Sequence, residues 1–569
     1  MDLRFAPHLI FRAKALSSNS RYTDVSISPG LHPVEPMHAQ RPEERPPDAV
    51  EQFRQAVQSQ AGNQKLDAAR GYMRALQLQP GFFEAAFNLA VVLQEMGQGE
   101  EAIACYRQAL HLKPNYAPAW GNLGVALRDA GQNRDAIDCF HQALGCEPEA
   151  PDVLNNLGNA LRAEEESAWA IACFRAALRR SPTNAGIMAN LGNALREVGR
   201  VDEAAETLQH AIQLQPDYAE AHWDLAAIRL LQGDFARGFA EYEWRWRRAD
   251  FPPRQFTAPL WGGESLAGRT LLVHAEQGAG DAIQFVRFVT ALAARGARVV
   301  LECPRALAAL FESVGGVQRV IVRGDPLPEF DWHVPLLSLP HRLGAGMDLL
   351  AASVPYLRPP LGRQVPLPPT RRDHPAALRV GLAWCGNPQH KNDRRRSMSF
   401  AALEPLFTVT GAAFYSLQVA PTAECAGEAA NRDALIGLEH LIHDFTDTAA
   451  LMSQLDLVIS VDTSVAHLAG ALGCPVWVLL PFAPDWRWLL ERDDNPWYPT
   501  MRLFRQPAPG DWTSVVQQVR TALVGTLHPS SAAEICQAPN GFSSGSPASE
   551  KQNKGLSPTA LCRYNSCRH

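Results

Sequence analysis

Three polar segments in the second half of the chain follow short apolar runs and contain residue types that could bind ligands or move protons. The first is Glu276–Asp281, in which Gly278 and Gly280 leave backbone amides open to a ligand. A carboxylate at the start of a helix can act as a general base, which makes Asp281 a candidate catalytic residue. Alternatively, Asp281 only caps a helix that begins at Ala282. The segment has neither the dinucleotide-binding glycine pattern nor the lysine of a phosphate loop, so it does not identify a nucleotide site by itself.

The second segment, Trp384–Ser397, is rich in cations. Positive charge at the end of a strand can compensate the charge of a diphosphate, because arginine and lysine both bind phosphate oxygens. Clusters of this kind are usually solvated loops, but a place at the carboxyl end of a central strand favours phosphate binding. The candidates are Lys391, Arg394, Arg395 and Arg396.

The third segment is Val461–Gly473, where a buried strand is predicted to run straight into a helix. Thr463 or Ser464 would cap that helix, leaving its free amides and positive dipole end for a phosphate. Asp462 at the tip of the strand can hold sugar or ribose hydroxyls, and His467 lies one turn into the helix near the same anion. A lone histidine on an apolar helix is usually a core residue. His467, however, is expected to lie close to Asp462 at the polar end of the preceding strand.

Alternating strands and helices must position these segments. Continuous apolar runs separated by helical segments indicate parallel sheets that are covered on both faces. A proline-rich stretch, Leu357–Pro375, divides the runs into two sets, which predicts two doubly wound α/β domains with a ligand-binding cleft between them. The predicted strands are Thr270–His274, Ala297–Leu301, Gln318–Val322, Leu378–Trp384, Ala413–Leu417, Leu455–Val461 and Pro475–Leu480.

The first half of the chain is periodic. Prolines recur every 34 residues, and this period, with a proline at the end of each helix pair, is typical of the tetratricopeptide repeat. Apolar residues at i, i+3, i+4 and i+7 indicate two helices per repeat, with glycines at the turn between them. The pattern predicts an all-α superhelix of five good repeats and a degenerate first repeat in which only the second helix is clear. The prolines are Pro80, Pro114, Pro148, Pro182 and Pro216, and the turn glycines are Gly97, Gly131, Gly199 and Gly233.

Amides follow the same period, at Asn88, Asn122, Asn156 and Asn190, with Asp224 in the fifth place. A side-chain amide both donates and accepts hydrogen bonds, so a regular row of amides can bind the backbone of an extended peptide. The row resembles the one that lines the superhelix of O-linked N-acetylglucosamine transferases, which also join such repeats to a sugar-transferring domain. Alternatively, asparagine simply suits the inner helix of a bacterial repeat. Repeat surfaces exist mainly to bind other molecules, which keeps both interpretations open.

Residues Leu271–Val519 resemble glycosyltransferase family 9, the heptosyltransferase-like enzymes with two facing nucleotide-type domains in the GT-B arrangement. The most specific similarity is Asp462-Thr-Ser-Val-Ala-His467 followed by Ala471-Leu-Gly-Cys-Pro-Val476, which looks like the family's donor-binding strand and helix. Ser464 stands where the family usually has glycine, which could change how closely the diphosphate approaches.

The resemblance implies roles for individual residues. Gly280 and Asp281 match a Gly-Asp pair in the family's acceptor domain, where the aspartate takes the proton from the acceptor hydroxyl. A cation after the first strand of the second domain contacts the donor phosphate in the family, and Lys391 is the first candidate here, with Arg396 in reserve. The implied reaction is an inverting displacement at the anomeric carbon, with a nucleotide sugar as co-substrate and no other cofactor. No paired acidic metal motif is evident, so independence from divalent metal ions is predicted.

Composition limits the class of protein. The net charge of −6 over 569 residues gives no reason to expect a nucleic-acid partner. No uncharged apolar stretch is long enough to cross a bilayer, so no integral membrane span is expected. The eleven cysteines are scattered, and several fall at apolar positions of the helical pattern, which favours a reducing cytoplasm.

Five units are predicted along the chain. A disordered segment at 1–48 precedes the repeats at 49–250, and a disordered tail covers 527–569. Between them lie an acceptor-side α/β domain at 256–370 and a nucleotide-sugar-binding α/β domain at 376–526.

Two functions of different classes follow. In the first, the chain is a glycosyltransferase that moves a sugar from a nucleotide-sugar donor to a protein or glycan acceptor, with a protein or peptide recruited in the repeat groove. In the second, the transferase half has lost catalysis and the chain is a repeat scaffold for protein–protein interactions. A functional relative of the O-linked N-acetylglucosamine enzymes would share the architecture, but the motifs of the second half resemble family 9. Repeats ahead of such a domain are not the usual lipopolysaccharide-building arrangement, which argues against heptose as the donor sugar.

Overall fold

A computed structural model describes residues 46–344, 354–360, 362–369, 378–390, 392–419 and 434–527. The two segments expected to be disordered, 1–48 and 527–569, lie almost wholly outside these ranges. The described chain consists of a helical arm followed by two units that each contain a parallel sheet.

The helical arm, Pro47–Tyr242, is built from successive helix pairs, and each pair packs on the next. Alanine, leucine and aromatic side chains from neighbouring pairs form a continuous core. Such stacking stabilises helix pairs that cannot bury their apolar faces alone. Within the described residues the pairs are α1 Pro47–Ala61 and α2 Lys65–Leu78, α3 Phe83–Glu95 and α4 Gly99–Leu112, α5 Ala117–Asp129 and α6 Asn133–Cys146, α7 Pro151–Ala163 and α8 Ser167–Arg180, α9 Ala185–Glu197 and α10 Val201–Leu214, and α11 Ala219–Leu231 and α12 Phe235–Tyr242.

The first repeat has both of its helices, although only the second was clear from the sequence. Helix α1 packs on α2 and buries Ala49, Phe53 and Ala56. Their spacing of four and three residues places them on one face of the helix. Two of the three are alanines, so the apolar face of α1 is narrow and the helix is difficult to recognise from the sequence.

The turns between paired helices require a left-handed backbone. The predicted turn glycines Gly97, Gly131, Gly199 and Gly233 all have positive φ, for example 75° at Gly97. Glycine adopts this conformation without the steric cost that a Cβ atom brings. In the fourth repeat Glu165 takes the same conformation, with a φ of 66°. The absence of glycine from the turn of the fourth repeat therefore does not interrupt the series of repeats.

Glycine also permits close approach between the two helices of a repeat. A Cβ atom at Gly158 would lie 2.6 Å from Cε1 of the buried Phe174. We expect Gly158→Ala to lower the free energy of unfolding by about 1–3 kcal/mol, because the phenyl ring would be forced out of its packed position. Chemical denaturation measures this loss.

A matched control lies on the same arm. Gly145 is in helix α6, and no atom lies within 4 Å of its missing Cβ. We expect Gly145→Ala to be neutral or to stabilise by up to about 1 kcal/mol, because alanine favours the helix. Equal stability of the Gly158→Ala and Gly145→Ala variants would contradict the packing argument.

The first α/β unit contains a four-stranded parallel sheet in the order β3-β2-β1-β4. The chain leaves β1 towards β2 on one side and later returns to β4 on the other, so the switch point of the sheet lies beside β1. The elements are β1 Thr270–His274, α13 Ala279–Phe285, α14 Val289–Ala294, β2 Arg298–Cys303, α15 Arg305–Phe311, β3 Val317–Val322, β4 Trp332–Pro335 and α16 Leu339–Leu343.

The second α/β unit contains a six-stranded parallel sheet in the order β10-β9-β8-β5-β6-β7. This is the order of a doubly wound nucleotide-binding sheet, and its switch point lies between β5 and β8. The elements are β5 Leu378–Ala383, α17 Asp393–Arg396, β6 Ala412–Ser416, β7 Leu435–Gly437, α18 Phe445–Met452, β8 Leu457–Val461, α19 Ser464–Leu472, β9 Val476–Leu480, β10 Met501–Arg505 and α20 Trp512–Leu527.

The predicted parallel sheets are confirmed, and each of the seven predicted strands has a counterpart within a few residues of the expected bounds. Three strands were missed: β4, β7 and β10. All three lie at an edge of a sheet in the described chain. Strand β7 is only three residues long, and β10 alternates arginine with apolar residues. Neither has the continuous apolar run of a central strand.

Candidate functional site

A cavity of about 910 Å3 lies where the two α/β units and the end of the helical arm meet. Its walls include the loops that follow β1, β5, β8 and β9. Because β1, β5 and β8 flank the switch points of their sheets, the cavity occupies the place where open parallel sheets bind ligands. The predicted site residues on its walls are Gly278, Gly280, Asp281, Arg396, Asp462, Thr463, Ser464 and His467.

Asp281 stands in the first turn of helix α13, which begins at Ala279 rather than at Ala282. One carboxylate oxygen accepts a hydrogen bond from the backbone N–H of Gly278 at 2.9 Å. The other carboxylate oxygen is bound by Arg487 of the second unit. Asp281 therefore caps its helix and also faces the cavity, so the two roles considered from the sequence are compatible.

Arg487 is the central side chain of the cavity and was missed in the sequence. It is buried, and besides Asp281 it binds Asp485 at 2.7 Å and the side-chain oxygen of Gln284 at 2.8 Å. Burial disfavours a charged guanidinium, but the carboxylates of Asp485 and Asp281 outweigh it and raise the pKa of Arg487. One arginine thus connects the two α/β units across the cavity. The segment after β9 lies at a strand end, which is the one sequence feature that could have identified it.

Asp462 lies at the tip of β8, with only 9% of its surface exposed. Burial raises its pKa from 3.8 to about 6, with a further contribution from the nearby Asp485 carboxylate, while Arg396 acts in the opposite direction. Arg487 outweighs burial at Asp485 and lowers the pKa of that group. The pKa values of Asp462 and Asp485 are therefore shifted in opposite directions.

His467 lies within α19, 4% exposed, against the first α/β unit. Its Nδ1 atom is 3.0 Å from the hydroxyl of Tyr498, and its ring stacks on Trp488. Burial, helped by the charge of Arg487, lowers the pKa of His467 to about 3. The imidazole is therefore neutral at physiological pH and offers hydrogen bonding without positive charge.

The amino end of α19 meets the amino end of α13. Thr463 caps α19 by accepting a hydrogen bond from the N–H of Val465 at 3.3 Å, which identifies the capping residue that the sequence left open. A Cβ atom at Gly280 would lie 3.0 Å from Cδ2 of His467 and 3.5 Å from Cα of Ser464. The missing side chain of Gly280 therefore allows the two helices to approach, which is a packing role in addition to its place on the cavity wall.

Two cations of the cluster after β5, Arg395 and Arg396, both line the cavity, but they have different partners. Arg396 lines the cavity and is held by Asp393, with 3.2 Å between Nε and Oδ1. Arg395 binds the helical arm, at Glu197 (2.9 Å) and at the backbone oxygen of Arg162 (3.0 Å). Lys391, the first candidate for donor phosphate, lies outside the described residues, and Arg394 is exposed.

The amide row of the arm is only partly available to a ligand. Asn88 is fully buried and donates to the hydroxyl of Tyr72, so its assignment as an acceptor-binding residue is corrected. The other three amides are partly exposed. Asn156 accepts from Arg128 at 3.1 Å, and Asn190 donates to Asn155 at 2.9 Å. The side chain of Asn122 forms a hydrogen bond with the buried hydroxyl of Tyr106.

The fifth position of the row lies at the cavity. Asp224 is on the cavity wall, together with Trp223 and Arg196 of the same arm. Its carboxylate accepts a hydrogen bond from Asn193, and burial raises its pKa. The row of polar side chains along the arm therefore ends at the cavity that also contains Asp281.

Asp462→Asn is expected to stabilise the protein at pH 8 and to have little effect near pH 4. Because burial raises the pKa of Asp462 from 3.8 to about 6, the folded protein binds this proton more tightly than the unfolded chain does. Stability is therefore lost as the pH rises from about 4 to about 6, and asparagine removes a loss on the order of 2–3 kcal/mol. Denaturation midpoints measured across this pH range give the difference.

The neighbouring acid provides a control of opposite sign. Because Arg487 lowers the pKa of Asp485, its carboxylate contributes stability that is present at pH 8 and lost as the pH falls. Asp485→Asn should therefore destabilise at pH 8. An Asp462→Asn variant that is less stable than the wild type at pH 8 would contradict the assignment.

The described residues contain no helix long and apolar enough to cross a membrane. They also contain no group of three or more His, Cys, Asp and Glu side chains arranged to hold a metal ion. No disulfide joins any two of the seven cysteines within these ranges.

Comparison with known proteins identifies the repeats. Tetratricopeptide-repeat families match residues 82–146, 122–185 and 192–233. Protein FlbA of Caulobacter vibrioides is 28% identical over 358 residues, which cover 58% of this chain and 59% of FlbA. The chain therefore spans less than two thirds of the length of that relative.

Solved repeat proteins align with part of the chain. YrrB, described as a TPR protein with an unusual peptide-binding site, is 21% identical, with a TM-score of 0.28 over 32% of this chain and 93% of YrrB. PilF of Pseudomonas aeruginosa is 19% identical, with a TM-score of 0.32 over 35% of this chain and 91% of PilF. The family matches lie within the helical arm, and we conclude that this arm consists of tetratricopeptide repeats.

Proposed function

We propose that this chain is a glycosyltransferase of the GT-B type, which moves a sugar from a nucleotide-sugar donor to a protein or glycan acceptor recruited by the repeats. One observation carries the proposal. Residues from the switch points of two parallel sheets, Asp281 in the first unit and Asp462 and His467 in the second, line a single cavity. A cavity of about 910 Å3 is large enough for a ligand of this size.

The donor diphosphate would bind at the amino end of α19. Thr463 caps this helix, and its first free amides, beginning at Ser464, lie on the cavity wall, where they and the helix dipole would attract an anion. Arg396 adds a positive charge on the same wall. His467 is neutral, so it would contribute a hydrogen bond rather than charge. Preorganised donors of this kind stabilise a departing diphosphate, which is usually the largest single contribution to catalysis.

Asp462 would bind hydroxyl groups of the donor. Its carboxyl group lies at the tip of β8, beside the capped end of α19. A carboxyl group accepts hydrogen bonds from sugar hydroxyls whether or not it is ionised. Binding at this point would hold the sugar between the diphosphate and the first α/β unit, with its anomeric carbon towards Asp281.

The acceptor would react from the side of Asp281. A carboxylate removes the proton from an acceptor hydroxyl as that oxygen attacks the anomeric carbon, while the diphosphate leaves from the opposite face. This single displacement inverts the configuration of the sugar. The guanidinium of Arg487 contacts one oxygen of this carboxylate. The acceptor would have to displace or share the guanidinium contact to reach the carboxylate.

The repeat arm would bring the acceptor to the cavity. Tetratricopeptide repeats form extended surfaces that bind polypeptides. In this chain the polar row along the arm ends at Asp224, on the wall of the cavity. A protein segment lying along Asn122, Asn156 and Asn190 would therefore be led towards Asp281.

A second function is a scaffold without catalysis. The observation in its favour is that Asp281 already has two partners, Gly278 and Arg487, and so has a structural role without any substrate. In that case the repeats would mediate protein–protein interactions and the cavity would be a remnant or would bind a regulatory ligand.

A donor screen tests the proposal. We expect one class of nucleotide sugar to raise the melting temperature by several degrees, because a ligand that binds only the folded state at 100 times its Kd stabilises it by about 2.7 kcal/mol. Asp462→Asn should reduce this shift, since Asp462 lies on the donor side of the cavity. Transfer to protein acceptors is then measured with the donor that binds. Binding of a donor without transfer would favour the scaffold function. If no nucleotide sugar binds, the proposed diphosphate site at α19 and the proposed sugar site at Asp462 are both refuted.

A further inference from the structure

The end of the repeat arm contacts the loop that carries Asp281. After α12 the chain forms a tight helical turn, Glu243–Arg247, which lies against the first α/β unit. The contacts are made by Tyr242, the last residue of α12, and by Arg245 within the turn. Both side chains are buried.

Arg245 joins the arm to both strands at the switch point of the first sheet. Its side chain is 0% exposed and donates to Glu243 on its own turn at 2.7 Å. It also donates to Glu276, which follows β1, at 2.9 Å, and to the hydroxyl of Ser338, which follows β4, at 2.7 Å. Ser338 in turn donates to Glu243 at 2.8 Å. The four side chains form a closed network.

The network fixes the first residue of the loop. Burial raises the pKa of Glu276 from 4.5 to about 7, and the charge and hydrogen bond of Arg245 act against this shift. A carboxyl group buried in this way is costly unless it is paired. Arg245 is the partner that keeps Glu276 in place, so the arm determines where the loop begins.

Tyr242 fixes the second residue. Its hydroxyl lies 3.0 Å from Nε2 and 3.2 Å from Oε1 of Gln277, and both residues line the cavity. The next residue, Gly278, provides the N–H that binds the carboxylate of Asp281. Two contacts from the arm therefore act on the residues immediately before the amide that orients Asp281.

We propose that Tyr242 and Arg245 are positioning residues through which the repeat arm sets the conformation of loop 276–281 and the orientation of Asp281. The kinetic consequence rests on the proposed transferase function, whereas the structural consequence does not. On this proposal the arm is part of the reaction site as well as a recruiting surface, so a disturbance of its last repeat changes turnover even when the acceptor is bound.

Tyr242→Phe separates positioning from simple docking of the arm. The ring of Tyr242 also packs against Trp223 and Trp486, and these contacts remain when only the hydroxyl is removed. Tyr116→Phe is the matched control, because Tyr116 lies on the same arm among Phe83 and Phe87, in the third repeat. Arg245→Lys is a second test, since lysine keeps the positive charge but lacks the planar fork that binds several acceptors.

Hydrogen exchange of the full chain gives the first readout. Loss of one hydrogen bond corresponds to about 0.5–1.5 kcal/mol, so amides of 276–281 should exchange roughly 2- to 12-fold faster in Tyr242→Phe. Arg245→Lys should act in the same direction, and Tyr116→Phe should match the wild type. Unchanged exchange in this loop in both Tyr242→Phe and Arg245→Lys would overturn the proposal.

Steady-state kinetics with the donor found in the screen gives the second readout. We expect Tyr242→Phe to lower kcat roughly 5- to 10-fold with little change in the KM for the donor, because misplacement of a catalytic group affects the reacting geometry. A rise in donor KM at constant kcat would overturn the positioning role. If neither the wild type nor the variants transfer sugar, the transferase function is refuted. Faster exchange of loop 276–281 in Tyr242→Phe would then still support the positioning of the loop by the arm.

Discussion

Asp281→Asn is expected to lower the rate of sugar transfer about 10²- to 10⁴-fold, the contribution typical of a general base. Asparagine has nearly the same shape, and its side-chain oxygen can still accept the hydrogen bond from the N–H of Gly278. The cap of α13 should therefore persist. What is lost is the negative charge that takes the proton and pairs with Arg487.

The matched control is Asp331→Asn. Asp331 is chemically similar to Asp281, because its carboxylate also accepts from a backbone N–H, that of Thr270 at 2.7 Å, and from an arginine, Arg269 at 3.0 Å. It lies at the amino end of β1, whereas the cavity lies at the carboxyl end. We therefore expect Asp331→Asn to transfer sugar at the wild-type rate, measured with the same donor and acceptor.

Donor binding distinguishes failure of the base from failure of the site. Asp281→Asn should keep the nucleotide-sugar-induced rise in melting temperature, because the proposed donor contacts come from the second α/β unit. Wild-type turnover in Asp281→Asn, with donor binding intact, would show that another group removes the proton. No turnover in either protein would leave the scaffold function as the better explanation.

The sequence was sufficient where local rules determine the structure. Leu457–Val461 is a central strand with apolar residues on both faces, and its continuous apolar run made it recognisable. A cap at Thr463 or Ser464 was expected, because a strand that turns directly into a helix needs a hydrogen-bond acceptor at that point, and Thr463 is the residue that provides it. The shared cavity of Asp281 and Asp462 followed from a general rule about the carboxyl ends of parallel strands.

The sequence was insufficient where a residue's role depends on a distant partner. Arg487 looks like any arginine in a polar loop until the fold brings it to Asp281, about two hundred positions earlier. Arg395 lines the cavity with Arg396, but the sequence did not reveal that it forms an ion pair with Glu197 of the arm. Asn88 shares the period of the partly exposed amides, yet its side chain is buried and donates to the hydroxyl of Tyr72 in the preceding repeat.

These three cases have one physical cause. Periodicity and capping depend on residues within a few positions of each other, so they can be recognised along the chain. Pairing of buried charges depends on the tertiary fold, and it is strongest where a charge has lost its water. The residues that join the three units of this chain are of the second kind, which is why the predicted cavity lacked the arginine at its centre.

Arg487→Met is expected to destabilise the protein by about 3–5 kcal/mol, because it leaves buried charges without their partner. Arg487 is 8% exposed and binds Asp281, Asp485 and Gln284 together. Methionine has a similar volume, so the packing is largely kept while the charge and all three contacts are lost. The loss should appear as a lower denaturation midpoint and as reduced transfer, since the same side chain contacts the carboxylate of Asp281.

Arg492→Met is the control for removal of an arginine from the same loop. Arg492 forms two hydrogen bonds to Asp494, both 2.6 Å long, but the pair is exposed to solvent, and such pairs are worth about 0–1 kcal/mol. The stability of Arg487→Lys should lie between those of Arg487→Met and Arg492→Met. An ammonium retains the positive charge but cannot reach three acceptors in the geometry of a guanidinium. If Arg487→Met and Arg492→Met were equally stable, Arg487 would not hold the two α/β units together. In that case Asp281 would owe its orientation to Gly278 and the loop, and the repeat arm would be its main support.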